Sequence, residues 1–303
     1  MMGKRIGDRI IKFASLLFAS VILVLVAGIV YELIKGSYRS LATFGWGFLI
    51  TSTWDPVNKV FGALPFIFGT IVSSIIALII ALPLSIGIAI FLSELAPKKV
   101  RIYVSLMIEM LAAVPSIIYG LWGLFVMTPF LQTRIEPFLG KHLGFIPLFQ
   151  GPPLGVGMLA GGLILSIMII PTIASITRDI FNTIPTLYKE AGFAIGMTRW
   201  EVISKIVFPQ ARSGMIGAVM LGFGRALGET MAITMVIGNA PVISASLFSP
   251  AYTMSSVIAN EFTEATSKLY ISSLIELALL LFIISMLFNA IAKLLIKRGR
   301  FTV

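Results

Sequence analysis

Along this chain, long apolar runs alternate with short segments that hold nearly all of the charge. A run of about 20 apolar residues is long enough to cross the ~30 Å hydrocarbon core of a bilayer as an α-helix. Six such runs lie at about 13–34, 65–93, 102–128, 154–176, 213–237 and 271–296. The second and third contain Pro83 and Pro115 and are expected to cross with a tilt or kink. The first run is about twice the length of a signal-peptide core and lacks a clear small-residue cleavage site, so it reads as the first span. The pattern predicts an all-α integral membrane protein with six transmembrane helices.

Composition agrees: 58% of the residues are hydrophobic and 12% are charged, against about 25% charged in a soluble domain. Sixteen Lys and Arg residues fall in the two tails and the second and fourth inter-span loops, and six fall in the other three loops. That bias places both termini in the cytoplasm. Tails 1–12 and 298–303 then flank a membrane domain at 13–297. The net charge of +10 follows from this topology and suits anionic lipid headgroups. Basic residues interleaved with aromatics are lacking, so nucleic acid is not an expected partner. Cysteine is absent, which excludes disulfides and thiolate metal sites. His142 reads as a solvated loop residue. No Walker-type phosphate loop is present, so any ATP must be used by another chain.

One Lys or Arg remains. Arg225 lies in the apolar stretch from Met215 to Ile237, four residues before Glu229. A charge at mid-membrane costs about 2.5–3.5 kcal/mol on insertion scales and usually faces a cavity or a partner. The spacing predicts that both side chains share one helix face. An arginine fork suits a tetrahedral oxyanion. Glu229 would either balance Arg225 or accept a proton-bearing oxygen, a preference for hydrogen phosphate over sulfate. Glu109, about 12 Å into the third run at 1.5 Å per residue, would reach Arg225 if the third and fifth spans are neighbours. Pro115 would loosen the helix beside a cavity. Glu276 reads as a snorkelling or packing residue. Gly157-x-x-x-Gly161 and Gly224-x-x-x-Gly228 read as close-packing faces.

The loops add further expectations. Residues 36–64 carry Trp46, Trp54 and Phe61, a candidate interfacial belt. Five prolines predict irregular structure at 129–153. The loop at 239–270 would partly re-enter the membrane or dock an external partner. Between the fourth and fifth spans, 177–212 form the longest cytoplasmic loop. Pro185 would open a short helix with a stripe of Leu187, Ala191 and Ala194, and Gly196 would end it. Thr198-x-x-Glu201 is a capping box for a second helix, which Pro209 would close.

Within this loop, Glu190-Ala191-Gly192-x-x-x-Gly196, nine residues, then Ile206-Val207-Phe208-Pro209 resembles the EAA loop of importer-type ABC permeases, with Gly192 and Phe208 replacing the usual Ala and Leu. The resemblance implies a type I importer permease architecture. It also implies that this segment docks into an ATP-binding subunit. The run Gly224-Arg225-Ala226-Leu227-Gly228-Glu229-Thr230 is similar to the fifth span of phosphate-specific ABC permeases. So are Thr53–Val57, Phe61–Pro65, Phe91–Glu94 and Glu109–Ser116 with Tyr119 and Gly120. The likeness covers about 45–300 and is greatest to the PstC-type subunit. It implies Arg225, Glu229 and Thr230 in the phosphate pathway, with Glu190, Ala191, Gly192, Gly196 and Pro209 in coupling. The implied partners are a PstA-type second permease, two ATP-binding subunits and an external phosphate-binding protein, in a prokaryotic inner membrane. No cofactor is expected on this chain. A permease for sulfate, molybdate or phosphonate and an ion-coupled transporter stay open as alternatives. An enzyme is the weakest reading, for want of a nucleophile–base set or cofactor motif.

Overall fold

The computed structural model describes residues 2–299. Arg300 with the rest of the C-terminal tail beyond Gly299, and the side chains of Lys4, Arg5, Arg9, Lys297 and Arg298, lie outside the described residues. The chain folds as helices joined by loops that carry two isolated β-bridges. Besides single helical turns at Gly47–Ile50 and Pro147–Phe149, these are in chain order α1 (Met2–Phe44), α2 (Leu64–Leu95), α3 (Lys98–Ala113), α4 (Ser116–Leu143), α5 (Met158–Thr183), α6 (Thr186–Ala194), α7 (Arg199–Gly228), α8 (Met231–Val236), α9 (Met254–Glu261) and α10 (Lys268–Gly299). Helices α1, α2, α4, α5, α7 and α10 are long and apolar enough to cross a membrane, so this is a multi-pass membrane protein.

The six spans are those expected, but two bounds move. The run at 102–128 is broken: Val114 is extended, ψ 129°, and Pro115 starts α4. A residue before proline is pushed out of the helical region, which ends α3 there. The third span is therefore Ser116–Leu143, with α3 a separate helix against α5. The fifth run is likewise not one helix over 213–237. It ends at Gly228, and α8 starts afresh at Met231.

Prolines interrupt the helices less than their number suggests. Four π turns occur among the described residues: Phe91–Leu95, Gly123–Met127, Leu131–Ile135 and Ile203–Val207. Each ends two residues before a proline, namely Pro97, Pro129, Pro137 and Pro209. Proline donates no hydrogen bond and its ring crowds the carbonyl four residues back. The wider π turn moves that carbonyl aside. Residues 129–143, expected to be irregular, are consequently helical, and Pro209 does not close its helix. His142 accordingly lies on α4, still exposed.

The central helix is α5. It packs along α2 over its length and also contacts α3, α7 and α8, while α1 pairs with α10 at the periphery. Small residues allow these approaches: a Cβ at Gly162 would meet Ile76 Cγ2 at 2.4 Å, and one at Gly157 would meet the Phe248 carbonyl oxygen at 2.6 Å. The α1–α10 seam is polar, with Ser40 N–H donating to Ser272 Oγ at 3.0 Å and Ser272 Oγ to the Gly36 carbonyl at 2.7 Å. Glu276 sits in this seam only 3% exposed, so it is buried and does not snorkel. Of the expected interfacial aromatics only Trp46 is open. Phe61 is buried, and Trp54 stacks edge-on to Phe61 and Phe66 with its Nε1 donating to Glu261 at 2.8 Å.

Candidate functional site

The site forms where two helices stop inside the bundle. Glu229 is extended (φ −68°, ψ 130°), so α7 ends one residue earlier. The broken backbone is then satisfied locally, as the absence of water in a bilayer requires. Ser255 Oγ donates to the Glu229 carbonyl at 2.7 Å. The Glu229 carboxylate turns forward and accepts from Ala232 N–H at 3.2 Å, in the first turn of α8. Thr234 Oγ1 donates to the Thr230 carbonyl at 2.6 Å, and Thr230 Oγ1 to the Gly228 carbonyl at 3.3 Å. Glu229 keeps the i, i+4 relation to Arg225 at the last turn of α7, since only its ψ leaves the helical range, but its carboxylate is turned to the Ala232 amide and away from an ion pair. Among the described residues, the ion pairs join Lys35–Glu32, Arg178–Glu109, Arg178–Asp179, Lys189–Glu94 and Lys205–Glu201; Arg225 is in none of them.

Arg225 is exposed on the surface of this chain, and a Cβ at Gly224 or Gly228 would meet nothing within 4 Å. The expected packing at that glycine pair is not made within this chain, whereas Gly157 and Gly161 do pack internally. The first turns of α4 lie beside this face. A Cβ at Gly120 would meet Ala232 Cα at 3.0 Å, and one at Gly123 would meet Val236 Cγ1 at 3.0 Å. These pairings advance together, so α4 and α8 run parallel and start at the same depth. Tyr119, on the second turn of α4, is within electrostatic reach of Arg225. The positive end of the long α4 helix thus adds to the arginine's field, an arrangement that favours an anion.

A third element closes the site. After α8, the chain turns at Gly238 and Asn239 (φ 92° and 49°), returns past Ala251, whose N–H bonds the Ile237 carbonyl at 3.0 Å, and starts α9 beside the break. Thr253 caps α9 by accepting from Ser256 N–H at 3.1 Å, and Thr234 Oγ1 meets Ser256 Oγ at 2.9 Å. The loop at 239–270 therefore turns back into the bundle. Thr70 Oγ1 of α2 accepts from Met254 N–H at 2.9 Å. Sequence reading missed this hydroxyl cluster and the break at Glu229; the signal available was Gly228-Glu229-Thr230 interrupting an apolar run.

Glu109 does not meet Arg225. Its Oε1 lies 3.1 Å from the Arg178 guanidinium, which also bonds Asp179 Oδ1 at 2.7 Å. Arg178 was expected in a loop; it is instead buried on α5, its charge met by two carboxylates. The α5–α7 connection folds as expected in outline. Helix α6 starts one residue after Pro185, and Gly196 ends it at φ 84°. Both halves of the Thr198–Glu201 capping box are present. Glu190, Ala191, Gly196 and Pro209 are exposed. Gly192 is buried, because a Cβ there would meet Ile206 Cδ1 at 2.7 Å. Leu187, Tyr188, Phe193 and Ile195 form an exposed apolar surface around Glu190.

Residues 83–301 match the family described as binding-protein-dependent transport system inner membrane component. The phosphate transport system permease protein PstC of Mesorhizobium japonicum is 51% identical over 295 residues, covering 96% of this chain and 90% of that protein. The protein of the same name from Haemophilus influenzae is 48% identical, with 96% and 93% covered. Among solved structures, a bacterial ABC transporter involved in the import of the acidic polysaccharide alginate superposes with a TM-score of 0.60 at 16% identity, covering 97% of this chain and 98% of that one. An inward-facing MetNI methionine ABC transporter superposes with a TM-score of 0.52 at 18% identity, covering 89% and 96%. These last two likenesses concern the fold.

Proposed function

The chain belongs to the binding-protein-dependent transport system inner membrane components, and on that premise we propose that it is one permease subunit of an ATP-driven phosphate importer. The names of its relatives support phosphate as the cargo. The observation that carries the site assignment is the unpaired, outward-facing Arg225 beside a broken helix. A charge left unmatched by its own chain is expensive in a membrane, so it is held for something that arrives from outside the chain. A second permease of the PstA type covers the Arg225 and Gly224–Gly228 face and completes the passage. Phosphate passes between the two subunits, taken up by the Arg225 fork and by hydroxyls at the break, Thr230 among them. Glu229 holds the break open through the Ala232 amide and does not balance Arg225 directly.

Both termini and α6 lie on the cytoplasmic side of a prokaryotic inner membrane, following the positive-charge bias. Two ATP-binding subunits supply the energy, one gripping the apolar surface around Glu190, a helix-in-groove contact. This chain carries no ATPase site of its own. An external phosphate-binding protein delivers the anion to the opposite side. ATP-driven closure then rocks the two permeases and exposes Arg225 to each side in turn. The test is co-purification with the ATPase, second permease and binding protein, followed by uptake in proteoliposomes. Phosphate uptake that requires ATP, is inhibited by arsenate and is unaffected by sulfate supports the proposal. Uptake by this chain alone under an ion gradient overturns it.

A further inference from the structure

Helix α6 packs chiefly on the first turns of α7. Beside it lies a recess of about 200 Å³ lined by Glu94, Leu95, Phe193, Arg199, Val202 and Ile203. Across that recess an ion pair links α6 to α2: Lys189 Nζ sits 2.7 Å from Glu94 Oε1, with side chains 17% and 13% exposed. Glu94 belongs to the π turn that ends α2, and the neighbouring Ser93 carbonyl accepts from the Arg101 guanidinium at 2.6 Å. The end of α2 is thus gripped by charge from α6 on one side and by the start of α3 on the other.

The opposite end of α2 reaches the broken-helix site. Thr70 Oγ1 holds the Met254 amide, and Gly69 lies so close to the Tyr252 carbonyl that a Cβ would stand 2.2 Å from its oxygen. Ser255, next in line, bonds the Glu229 carbonyl. From Thr70 to Glu94 the helix spans about 36 Å at 1.5 Å per residue. The helix runs without a break from Leu64 to Leu95 and packs extensively on α5, so displacement of one end is passed toward the other.

We propose that the Lys189–Glu94 ion pair is the strut that passes movement of α6 into α2, and through Thr70 and Met254 to the gate at Ser255 and Glu229. A partly buried pair is suited to this role, since separating the charges leaves each poorly solvated and α2 therefore follows α6 when α6 is displaced. Lys189 and Glu94 act here as positioning residues and touch no substrate. The proposal rests on the permease reading above.

The experiment uses the complete complex, with both permeases, ATPase and binding protein, in proteoliposomes, and reads phosphate moved per ATP hydrolysed. E94K and K189E should each lower that ratio about tenfold, within the range of coupling energies between contacting residues. The double variant E94K/K189E, with the pair reversed, should return it to within about twofold of wild type. If a charge reversal prevents assembly, the neutral variants E94Q and K189M should show the same fall. A lower yield of complex with an unchanged ratio marks a purely structural role and overturns the proposal. So does a double variant that assembles yet stays as uncoupled as the singles. Failure of wild-type uptake in the same vesicles would instead strike the permease reading.

Discussion

Replacing Gly69 by Ala tests the contact on which the re-entrant α9 depends. The added methyl would stand 2.2 Å from the Tyr252 carbonyl oxygen and 2.9 Å from its carbon. Both atoms are backbone, so no rotamer relieves the clash. Reaching van der Waals separation requires α9 and α2 to part by about 1 Å, which costs about 1–3 kcal/mol as overpacking. Parting them also stretches the Met254 N–H bond to Thr70 Oγ1, now 2.9 Å, for a further ~0.5–1.5 kcal/mol. The sum, about 1.5–4.5 kcal/mol, should fall mainly on the position of α9, since α2 packs far more extensively on α5 and α7 than α9 does on α2. Two readouts are predicted: a melting temperature of the purified complex lower by roughly 5 °C or more, and phosphate uptake reduced at least about tenfold. Thr70→Val keeps the volume and removes the hydroxyl that accepts from Met254 N–H and donates to the Phe66 carbonyl, so without any clash it should show the smaller part of the loss. Uptake and melting of Gly69→Ala equal to wild type would refute the close approach of Tyr252 and with it the gate.

Three other substitutions or conditions follow from the same geometry. Gly192→Ala should cost about 1 kcal/mol, because its nearest contact is the mobile end of Ile206 with Val202 Cγ2 next at 3.1 Å, and adding Ile206→Val should recover most of the difference in melting temperature. Glu109→Gln should keep phosphate uptake within about threefold, since Glu109 is half-exposed and Arg178 retains Asp179, a pair worth about 0–1 kcal/mol; loss of uptake would return Glu109 to the pathway. Asp55, held below its ordinary pKa by the Asn58 amide and side chain and by Val57 N–H, stabilises the 55–60 turn when ionised. That contribution is complete above the unfolded carboxylate pKa of about 3.9 and is lost as pH falls through the lowered folded value. Hydrogen exchange at Val57 and Asn58, corrected for the intrinsic pH dependence, should show lower protection at pH 2–3 than at pH 7.

The features legible in the sequence were those set by bulk hydrophobicity and by short-range backbone chemistry. Six apolar runs predicted six spans, and Thr198, Glu201 and Gly196 predicted their caps, because those signals act within one turn. The breaks were not legible. The hydropathy of a whole run does not register that Val114 leaves the helix before Pro115, or that the Glu229 carboxylate turns to the Ala232 amide of α8. The i, i+4 spacing of Arg225 and Glu229 did not disclose that the Glu229 carboxylate turns forward to the Ala232 amide. Arg178 was read as a loop residue because its charge ends an apolar run, yet it is buried on α5 and met by the exposed carboxylates of Asp179 and Glu109. Glu109 was assigned to Arg225 for the same reason, since Arg178 had not been recognised as a buried partner. The proline-rich stretch 129–143 stays helical because π turns precede Pro129 and Pro137. The recurrent spacing, a π turn ending two residues before a proline, is a pattern the sequence alone does not disclose. Gly192 stands where the EAA loop usually carries Ala, and Ile206 and Val202 lie close above it, a contact between two helices that the motif does not disclose.

The central claim is that Arg225 is held unpaired for a passing phosphate. Its most direct test is ATP-dependent phosphate uptake by complexes carrying Arg225→Gln, in proteoliposomes matched for the amount of assembled complex. Glutamine keeps a hydrogen-bonding side chain and removes the charge and the bidentate fork. Uptake is predicted to fall at least about a hundredfold, the loss expected for about 2.7 kcal/mol, while the complex still assembles and hydrolyses ATP. Uptake within about twofold of wild type would contradict the claim.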